Sequence, residues 1–465
     1  MSFSTDTLVF DPETIRRFDI NGPRYTSYPT ADRFVEAFDS EACQLWLGKR
    51  NIGAISRPLS LYVHIPFCNT ICYYCACNKI ITKDHGRSAR YLRYLRKEMA
   101  LQSRFLEQND RDVAQLHWGG GTPTFLSHDE MRQLMGMTRQ HFRLLEGGEY
   151  SIEVDPRKVD RATVELLGEL GFNRMSVGVQ DFDEKVQQAV NRIQSEEETL
   201  AVIEAARASG FRSISIDLIY GLPRQTVFGF KRTLDRVIAA GPDRLSIYNY
   251  AHLPGLFKPQ RRILPADMPS ADERLQILSL AIRTLTGAGY VYIGMDHFAR
   301  PDDELAIAQR QGRLHRNFQG YSTHADCDML SFGISSISKI GPCYCQNVKT
   351  LDEYYDRLDN GILPVFRGVE LNADDILRRA IIQSLMCHFE LSIESIEIAY
   401  LIDFKTYFAT ELEALRSMAD AGLLRLEDRW ITVLPPGRLL VRAISMVFDR
   451  YLRADHQRTR YSKVI

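Results

Sequence analysis

The sequence predicts an α/β chain built on a closed or partly closed (β/α) barrel, with a polar N-terminal arm and a small, mainly helical C-terminal domain. Three observations carry this expectation. Between residue 59 and about residue 297, short runs of β-type residues alternate with longer segments of 3.6-residue apolar spacing. Several of those segments stop at a glycine just before the next strand, at Gly171, Gly210, Gly241 and Gly289, where a left-handed cap ends a helix. Nearly every strand candidate also ends on polar residues. Serial strand–helix units imply parallel strands joined by right-handed crossovers. A doubly wound open sheet is the competing reading.

Taken in order, residues 1–55 form the arm, which contains Pro23-Arg24-Tyr25-Thr26-Ser27-Tyr28-Pro29 and reads as an extended segment. The barrel is assigned to residues 56–365. Its strand candidates are Leu59–Ile65, Gln115–Trp118, Tyr150–Val154, Arg174–Val179, Ser213–Ile219, Leu245–Tyr250 and Tyr290–Gly294. Helical spacing marks Tyr91–Leu106, Arg161–Leu170, Glu196–Ser209 and Arg232–Ala240. Over residues 366–465 the pattern changes. Helices at Asp374–Cys387, Ser392–Ala399 and Phe404–Ala421 lead to a hairpin, Leu423–Leu426 with Trp430–Val433, and a last helix, Gly437–Arg453, in the manner of a winged helix. Arg450, Arg453, Arg458, Arg460 and Lys463 read as a solvated helix end rather than a nucleic-acid site.

The 465 residues are 45% hydrophobic and 25% charged, an ordinary globular composition. With 58 Lys+Arg against 59 Asp+Glu, the chain has no global attraction to nucleic acid or anionic membrane. MSFSTDTLVFDPETIRRFDI has neither the basic start nor the apolar run of a signal peptide. No stretch approaches the ~18 to 20 apolar residues that span a bilayer. The expectation is a cytoplasmic protein whose nine cysteines are reduced.

Four of those cysteines lie close together as Cys68-x3-Cys72-x2-Cys75-x-Cys77, directly after the first strand candidate. Thiolates suit zinc, Cu(I) or iron–sulfur clusters. A zinc site usually joins two Cys pairs ~12 to 20 residues apart, and no second pair stands at that distance. A thioredoxin-like Cys72-Tyr-Tyr-Cys75 would need neither Cys68 nor Cys77 beside it. Iron–sulfur chemistry fits best. A cube with four Cys ligands is coordinatively closed, whereas three would leave one iron open; spacing leaves Cys77 as a fourth ligand or a separate thiol. The strand ends add Gly119-Gly120-Gly121-Thr122-Pro123, Glu153-Val154-Asp155-Pro156, Gln180-Asp181, Asp217, and Tyr248-Asn249-Tyr250-Ala251-His252. Taken singly, each is a turn, a cap or an ion-pair partner. In register at the carboxyl ends of barrel strands, they are where such folds build active sites.

The cysteine loop is similar to that of the radical S-adenosylmethionine superfamily. Within it, YVHIPFCNTICYYCACNK, LHWGGGTPT, SIEVDPR, GVQDF, IDLIYGLP, YAHLP, GMDHFARPDDELA and HRNFQGYST, together with GPRYTSYPT in the arm, resemble the oxygen-independent coproporphyrinogen III oxidase (coproporphyrinogen dehydrogenase) family. The likeness runs from about residue 12 to the terminal YSKVI. It implies a partial (β/α) barrel of the radical SAM type. It also implies a [4Fe-4S] cluster on Cys68, Cys72 and Cys75, whose fourth iron chelates S-adenosylmethionine and yields a 5′-deoxyadenosyl radical. That radical would take hydrogen from two propionate side chains of coproporphyrinogen III, which become vinyl groups in protoporphyrinogen IX.

The resemblance further implies two molecules of S-adenosylmethionine. Tyr62, Tyr74, Gly120, Glu153 and Ile337 would contact the first, and Gly121, Thr122, Gln180, Arg192, Asp217 and Ala251 the second. Glycines permit close backbone approach, carboxylates accept from hydroxyls or ammonium, and Arg192 can pair with a carboxylate. A substrate with four propionates needs cations, and Arg24 is the first candidate, beside Tyr25 and Tyr28. His64, His252 and His297 stand at strand ends, where a donor or proton shuttle is possible and a satisfied structural role is the blander reading. An electron donor and an electron acceptor must come from outside, and a monomer is expected. The rival within the same fold is a haem-binding chaperone without decarboxylase activity, which carries His-Asn-x-x-Tyr-Trp. Here His315-Arg316-Asn317-Phe318-Gln319-Gly320-Tyr321-Ser322 breaks the His–Asn adjacency and lacks the Trp.

Overall fold

Parallel strands flanked by crossover helices bury both faces, and the first strand already reads that way: six of the seven residues of Leu59–Ile65 are buried. A computed structural model of the chain describes residues 8–50, 57–325, 327–454, 461, 463 and 465. The arm–barrel boundary at residue 55, and Arg458 and Arg460, fall outside the described residues. The fold divides into two compact units. The first comprises Met1–Arg33, Leu278–Ala325 and Leu371–Ile465; the second comprises Phe34–Ile277 and Asp326–Glu370.

The second unit carries a sheet. Its parallel strands are β1 (Leu59–Ile65), β2 (Asp112–Gly120), β3 (Arg143–Val154), β4 (Arg174–Gln180), β5 (Ser213–Tyr220) and β6 (Arg244–Asn249). Strands β7 (Asp328–Phe332), β8 (Ile337–Ile340), β9 (Cys343–Asn347) and β10 (Val365–Glu370) lie on the other side of β1, and within this unit the order is β10-β9-β8-β7-β1-β2-β3-β4-β5-β6. β7 runs parallel to β1, and β8, β9 and β10 continue antiparallel. The series β1 to β6 never reverses, whereas a doubly wound sheet reverses at its switch point, so the open-sheet alternative is excluded. The strands match the expected ones to within a residue or two at most ends, although β2 and β3 begin earlier, at Asp112 and Arg143. Helices Gly86–Ser103, Arg161–Glu169, Glu196–Ala208 and Val227–Ala239 fill the connections. Helix His128–His141, with a Ser127–Glu130 capping box, joins them between β2 and β3. The cap glycines all take positive φ: 98° at Gly171, 82° at Gly210, 63° at Gly241 and 88° at Gly289.

In the first unit, the expected Tyr290–Gly294 strand is Val291–Gly294, paired antiparallel with His297–Ala299. A second hairpin joins His315–Asn317 to Gly320–Ser322. The C-terminal part has helices Ala373–His388 and Ile393–Tyr400 and a three-stranded antiparallel sheet of Glu390–Ser392, Leu424–Leu426 and Trp430–Val433. Two expected helices are interrupted. One breaks at Phe408, which packs on Phe404 and Phe448, giving Phe404–Tyr407 and Ala409–Asp420. The other becomes Val441–Met446 and Arg450–Ala454 after a 3-10 turn at Pro435–Leu440. Among the described residues, no helix is long and apolar enough to cross a membrane.

Candidate active site

Pleating sorts side chains to alternate faces, and along β3, β4 and β5 the apolar residues Ile152, Val154, Val177, Ile214, Ile216 and Leu218 are buried. The intervening positions carry Ser151, Glu153, Ser176, Gln180 and Asp217. In-register pairing sets Tyr62 beside His117, His117 beside Ser151, Glu153 beside Ser176, and Asp217 beside Ser246. The sheet thus presents one polar face, which extends the strand-end pattern back along the strands.

The cysteine loop leaves β1 through Pro66 and is shaped by main-chain bonds. Ile80 N donates to Pro66 O at 2.7 Å, Thr82 N to Cys68 O at 3.0 Å, and Tyr73 N to Val190 O at 2.9 Å. Asn191 Nδ2 adds a bond to Ile71 O at 2.7 Å. Gly121 packs so closely that a Cβ there would lie 2.8 Å from the Pro66 carbonyl carbon. At Gly120, φ is +116° and a Cβ would meet His64 Nδ1 at 2.6 Å. The triple glycine is therefore required for the two loops to approach.

Around the thiols the donors are cationic or hydroxylic. Thr122 Oγ1 lies 3.4 Å from Cys68 Sγ, while Arg157 Nη2 and Arg192 Nη1 lie 3.8 and 3.7 Å from Cys72 Sγ. Lys79 Nζ donates to the carbonyls of Cys75, at 3.1 Å, and Cys77, at 3.4 Å. Burial pushes the Cys68 thiol up to about 11. Cys75 is brought down to about 6 by its contact with the Cys77 thiol, with Lys79 assisting, and the same contact raises Cys77. A soft thiolate set beside guanidinium and ammonium groups suits an anionic iron–sulfur centre. Among the described residues, no three His, Cys, Asp or Glu side chains close on a single-ion site, and a cube whose irons each take one thiolate does not require it. Cys68, Cys72 and Cys75 fit the cluster, and Cys77 stands against Cys75.

Beside the loop, Glu153 is recessed rather than covered, with 45% of its side-chain surface open. Its carboxylate accepts from Gly120 N at 3.0 Å and pairs with His117 Nε2 at 3.3 Å. Desolvation works to raise its pKa, but His117 and the Gly120 amide outweigh it and hold the group low. His117 Nδ1 lies 2.6 Å from Ser151 Oγ, and its ring stacks on Tyr62 with centroids 5.8 Å apart. Tyr62 Oη meets His64 Nδ1 at 3.0 Å, and His64 Nε2 meets Asn78 O at 3.0 Å. Both nitrogens of His64 are thus occupied and burial lowers its pKa, which is the structural reading.

Arg192 is buried and committed to protein groups. It donates to Gly178 O at 2.6 Å, to Gln194 Oε1 at 3.2 Å and to Asp155 Oδ2 at 3.3 Å. Asp155 is gripped a second time by Arg157, at 2.9 and 2.6 Å. Asp155 and Arg157 stood in the quoted SIEVDPR run, but the bond from Arg192 to Asp155 spans a sequence gap that local patterns do not bridge. Gln180 takes φ 69° at the end of β4. Asp217 accepts from Ser176 Oγ at 2.8 Å, and burial raises its pKa to about 6 against the help of Ser176 and Ser246. Tyr74 and Ala251 are brought together by Gln260, whose Nε2 donates to both carbonyls, at 3.0 and 3.2 Å. Ile337 opens β8, where its carbonyl accepts from Ser331 Oγ. His252 Nδ1 meets Tyr250 Oη at 2.9 Å. In the first unit, Arg24 Nη1 pairs with Asp296 Oδ2 at 2.7 Å, and His297 packs edge-on against Tyr321. His117, Ser176 and Gln260 were missed by sequence reading; the alternation of polar residues along β2 and β4 is the signal that points to the first two.

Residues 62–237 match the Radical SAM superfamily and residues 371–440 the HemN C-terminal domain. An oxygen-independent coproporphyrinogen III oxidase of Pseudomonas aeruginosa is 54% identical over 463 residues, covering 99% of this chain and 100% of that protein. The protein of the same name from Escherichia coli is 47% identical over 462 residues, again covering 99% and 100%. A solved structure, described as coproporphyrinogen III oxidase (HemN) from Escherichia coli, a radical SAM enzyme, superposes with a TM-score of 0.91 at 48% identity, covering 96% of this chain and 100% of that one. With the cysteine loop, the triple glycine and the strand-end acids in place, the chain belongs to the oxygen-independent coproporphyrinogen III oxidase family of radical SAM enzymes.

Proposed function

We propose that this chain carries out the anaerobic oxidative decarboxylation of two propionate side chains of coproporphyrinogen III to vinyl groups, giving protoporphyrinogen IX in haem biosynthesis. The observation that carries the reading is the three-thiol loop set against Gly120, Glu153 and Arg192. Cys68, Cys72 and Cys75 would hold the [4Fe-4S] cluster. The chemistry that the cluster and S-adenosylmethionine supply when bound is one-electron cleavage of a sulfonium to a hydrogen-abstracting radical. For the first molecule, the open Glu153 carboxylate, held ionised by His117, offers an acceptor for an ammonium or ribose hydroxyl, with Tyr62, Tyr74, Gly120 and Ile337 around it. For the second, Gln180 and Asp217 offer polar contacts beside Gly121, Thr122 and Ala251. Arg192, already bonded to Asp155, orients that wall and keeps positive charge beside Cys72.

The reading includes the division into an arm (1–55), a catalytic barrel (56–365) and a C-terminal domain (366–465). It also includes a monomeric, cytoplasmic protein with an external electron donor and acceptor and without nucleic-acid or membrane partners. The test is an anaerobic assay of the reconstituted protein with coproporphyrinogen III, S-adenosylmethionine and a reductant. Protoporphyrinogen and 5′-deoxyadenosine are the expected products. Stable haem binding with neither product would favour the chaperone.

A further inference from the structure

Positive charge is concentrated beside the cysteine loop. Residues 79–97 hold seven Lys+Arg and one acid, Asp84, in a chain whose totals are 58 and 59. The run starts at the loop itself: Ile80–Ile81 pairs in parallel with Phe67–Cys68, and Thr82 N donates to Cys68 O at 3.0 Å. It continues along helix Gly86–Ser103, where Arg87, Arg90 and Arg93 are exposed. Lys349 joins them, its carbonyl held by Asn78 Nδ2 at 3.0 Å. Ile80, Arg87, Arg90 and Lys349 line one cavity of about 380 Å³ with Asp352 and Tyr355, and the Arg90 guanidinium lies 4.5 Å over the Tyr355 ring. Around this face, Asp84 accepts from Gly86 N at 2.8 Å, Glu130 from Ser88 Oγ at 2.7 Å and Glu353 from Thr350 Oγ1 at 2.7 Å. Asp359 is taken by Lys97 Nζ at 2.5 Å and Tyr94 Oη at 2.8 Å, and Glu98, the one acid of the helix, is buried. Asp352 and Asp356 remain, against Arg87, Arg90, Arg93 and Lys349, which form no ion pair among the described residues.

A solvated surface helix usually intersperses both signs of charge. This one presents a single sign, starting where the cysteine loop ends. The proposed reaction takes an electron from outside the chain. Electron transfer between proteins falls steeply with distance, so the donor must settle close to the cysteines that hold the cluster. Ile81, 41% exposed and paired in register with Cys68, adds an apolar contact beside the cations. Small, polar contacts of that kind suit a carrier that must bind, deliver and leave. Opposite charge on the carrier speeds the encounter and orients it. We infer that the face formed by Ile81, Arg87, Arg90, Arg93 and Lys349 docks an acidic one-electron carrier protein, which reduces the cluster held by Cys68, Cys72 and Cys75. The inference rests on the cluster and the external donor of the reading above. One electron leaves the reduced carrier for the cluster, and no atom moves with it.

The test uses the full chain and two acidic carriers with different cofactors, a plant-type [2Fe–2S] ferredoxin and a flavodoxin. Binding is read by calorimetry with and without the cluster, and cluster reduction by the loss of its visible absorbance. Arg87→Glu combined with Lys349→Glu is expected to weaken binding and slow reduction by either carrier about tenfold or more. Dithionite, which needs no docking, should reduce wild type and variant alike. Arg104→Glu combined with Arg212→Glu makes the same change in net charge ahead of β2 and β5, at the far end of the sheet from the cysteine loop, and should leave both readings as in the wild type. Wild-type binding and reduction in the Arg87/Lys349 variant would overturn the inference. So would an equal loss in the Arg104/Arg212 variant, an equal loss with dithionite, or failure of both carriers to bind the wild type. Carrier reduction that depends on Arg87 and Lys349, in a chain that forms no protoporphyrinogen, would keep the docking face and retire the proposed reaction. Protoporphyrinogen formed with dithionite while both carriers fail would do the reverse.

Discussion

Glu153 shows how one side chain can be tuned by partners from neighbouring strands. His117 from β2 and the Gly120 amide hold it ionised although it is recessed. Glu153→Gln keeps an acceptor for Gly120 but loses the charge, and S-adenosylmethionine binding should weaken about tenfold, or about 1.4 kcal/mol, by equilibrium dialysis. Unaltered affinity would remove Glu153 from the ligand shell. Among the thiols, Cys68→Ser, Cys72→Ser and Cys75→Ser should each lose the [4Fe-4S] absorbance after reconstitution, and Cys77→Ser should keep it. A Cys77→Ser protein without that absorbance would make Cys77 a ligand. The cysteines were readable because a single loop of ten residues contains them all. Arg192 was legible only as a cation: that it grips Asp155, 37 positions away, depends on the sheet bringing β3 and β4 side by side.

At the scale of elements, helix Gly86–Ser103 does more than cover the sheet. Its Glu98 is wholly buried and accepts from Gln102 at 3.1 Å, Asn347 at 2.7 Å, Gly333 N at 2.8 Å and Tyr354 Oη at 2.6 Å. Tyr91 on the same helix donates to His64 O at 2.9 Å and accepts from Ile334 N at 3.1 Å. The helix thereby ties the end of β1 to the turn that leads into Ile337. Burial lifts Glu98 to about 7 despite those four donors. A folded-state pKa above the unfolded one gives stability that is full below about pH 4.5 and lost as pH rises through 7. Relative to Glu98→Gln, the wild type should therefore lose on the order of 3 kcal/mol between those limits in denaturant titrations. A pH-independent difference would show that Glu98 titrates alike in the folded and unfolded chain. Strands β4 to β6 were legible because each pairs apolar alternation with a glycine-capped helix before it, and β1 to β3 by their β-type runs and the polar motifs that end them. Strands β7 to β10 were not, since Cys343–Asn347 (CYCQN) and Ile337–Ile340 (ISKI) are short, polar in composition and buried by their neighbours rather than by their own pattern.

On the scale of the whole molecule, near-zero net charge says nothing about how charge is distributed. A formal charge of −1 supplies no long-range pull on a tetracarboxylate, so any attraction must come from cations close to where it binds. Buried pairs are screened far less than surface ones, so raising salt from about 50 to about 500 mM should weaken coproporphyrinogen III binding less than about tenfold. A steeper fall would place the attraction on the surface. The two compact units are each stitched from stretches far apart in the chain, and that stitching has no local signature: Arg24, Arg316 and Arg442 look like unrelated surface residues until the chain folds. Removing iron with a chelator should leave the far-ultraviolet dichroism unchanged and lower Tm by no more than a few degrees, because the bonds of Ile80, Thr82, Tyr73 and Asn191 tie the cysteine loop to Pro66, Val190 and its own main chain. A large fall in Tm would show that the cluster holds the loop. With the small fall, folding and metallation would be separable events, and a centre lost to oxygen could be rebuilt in the same polypeptide.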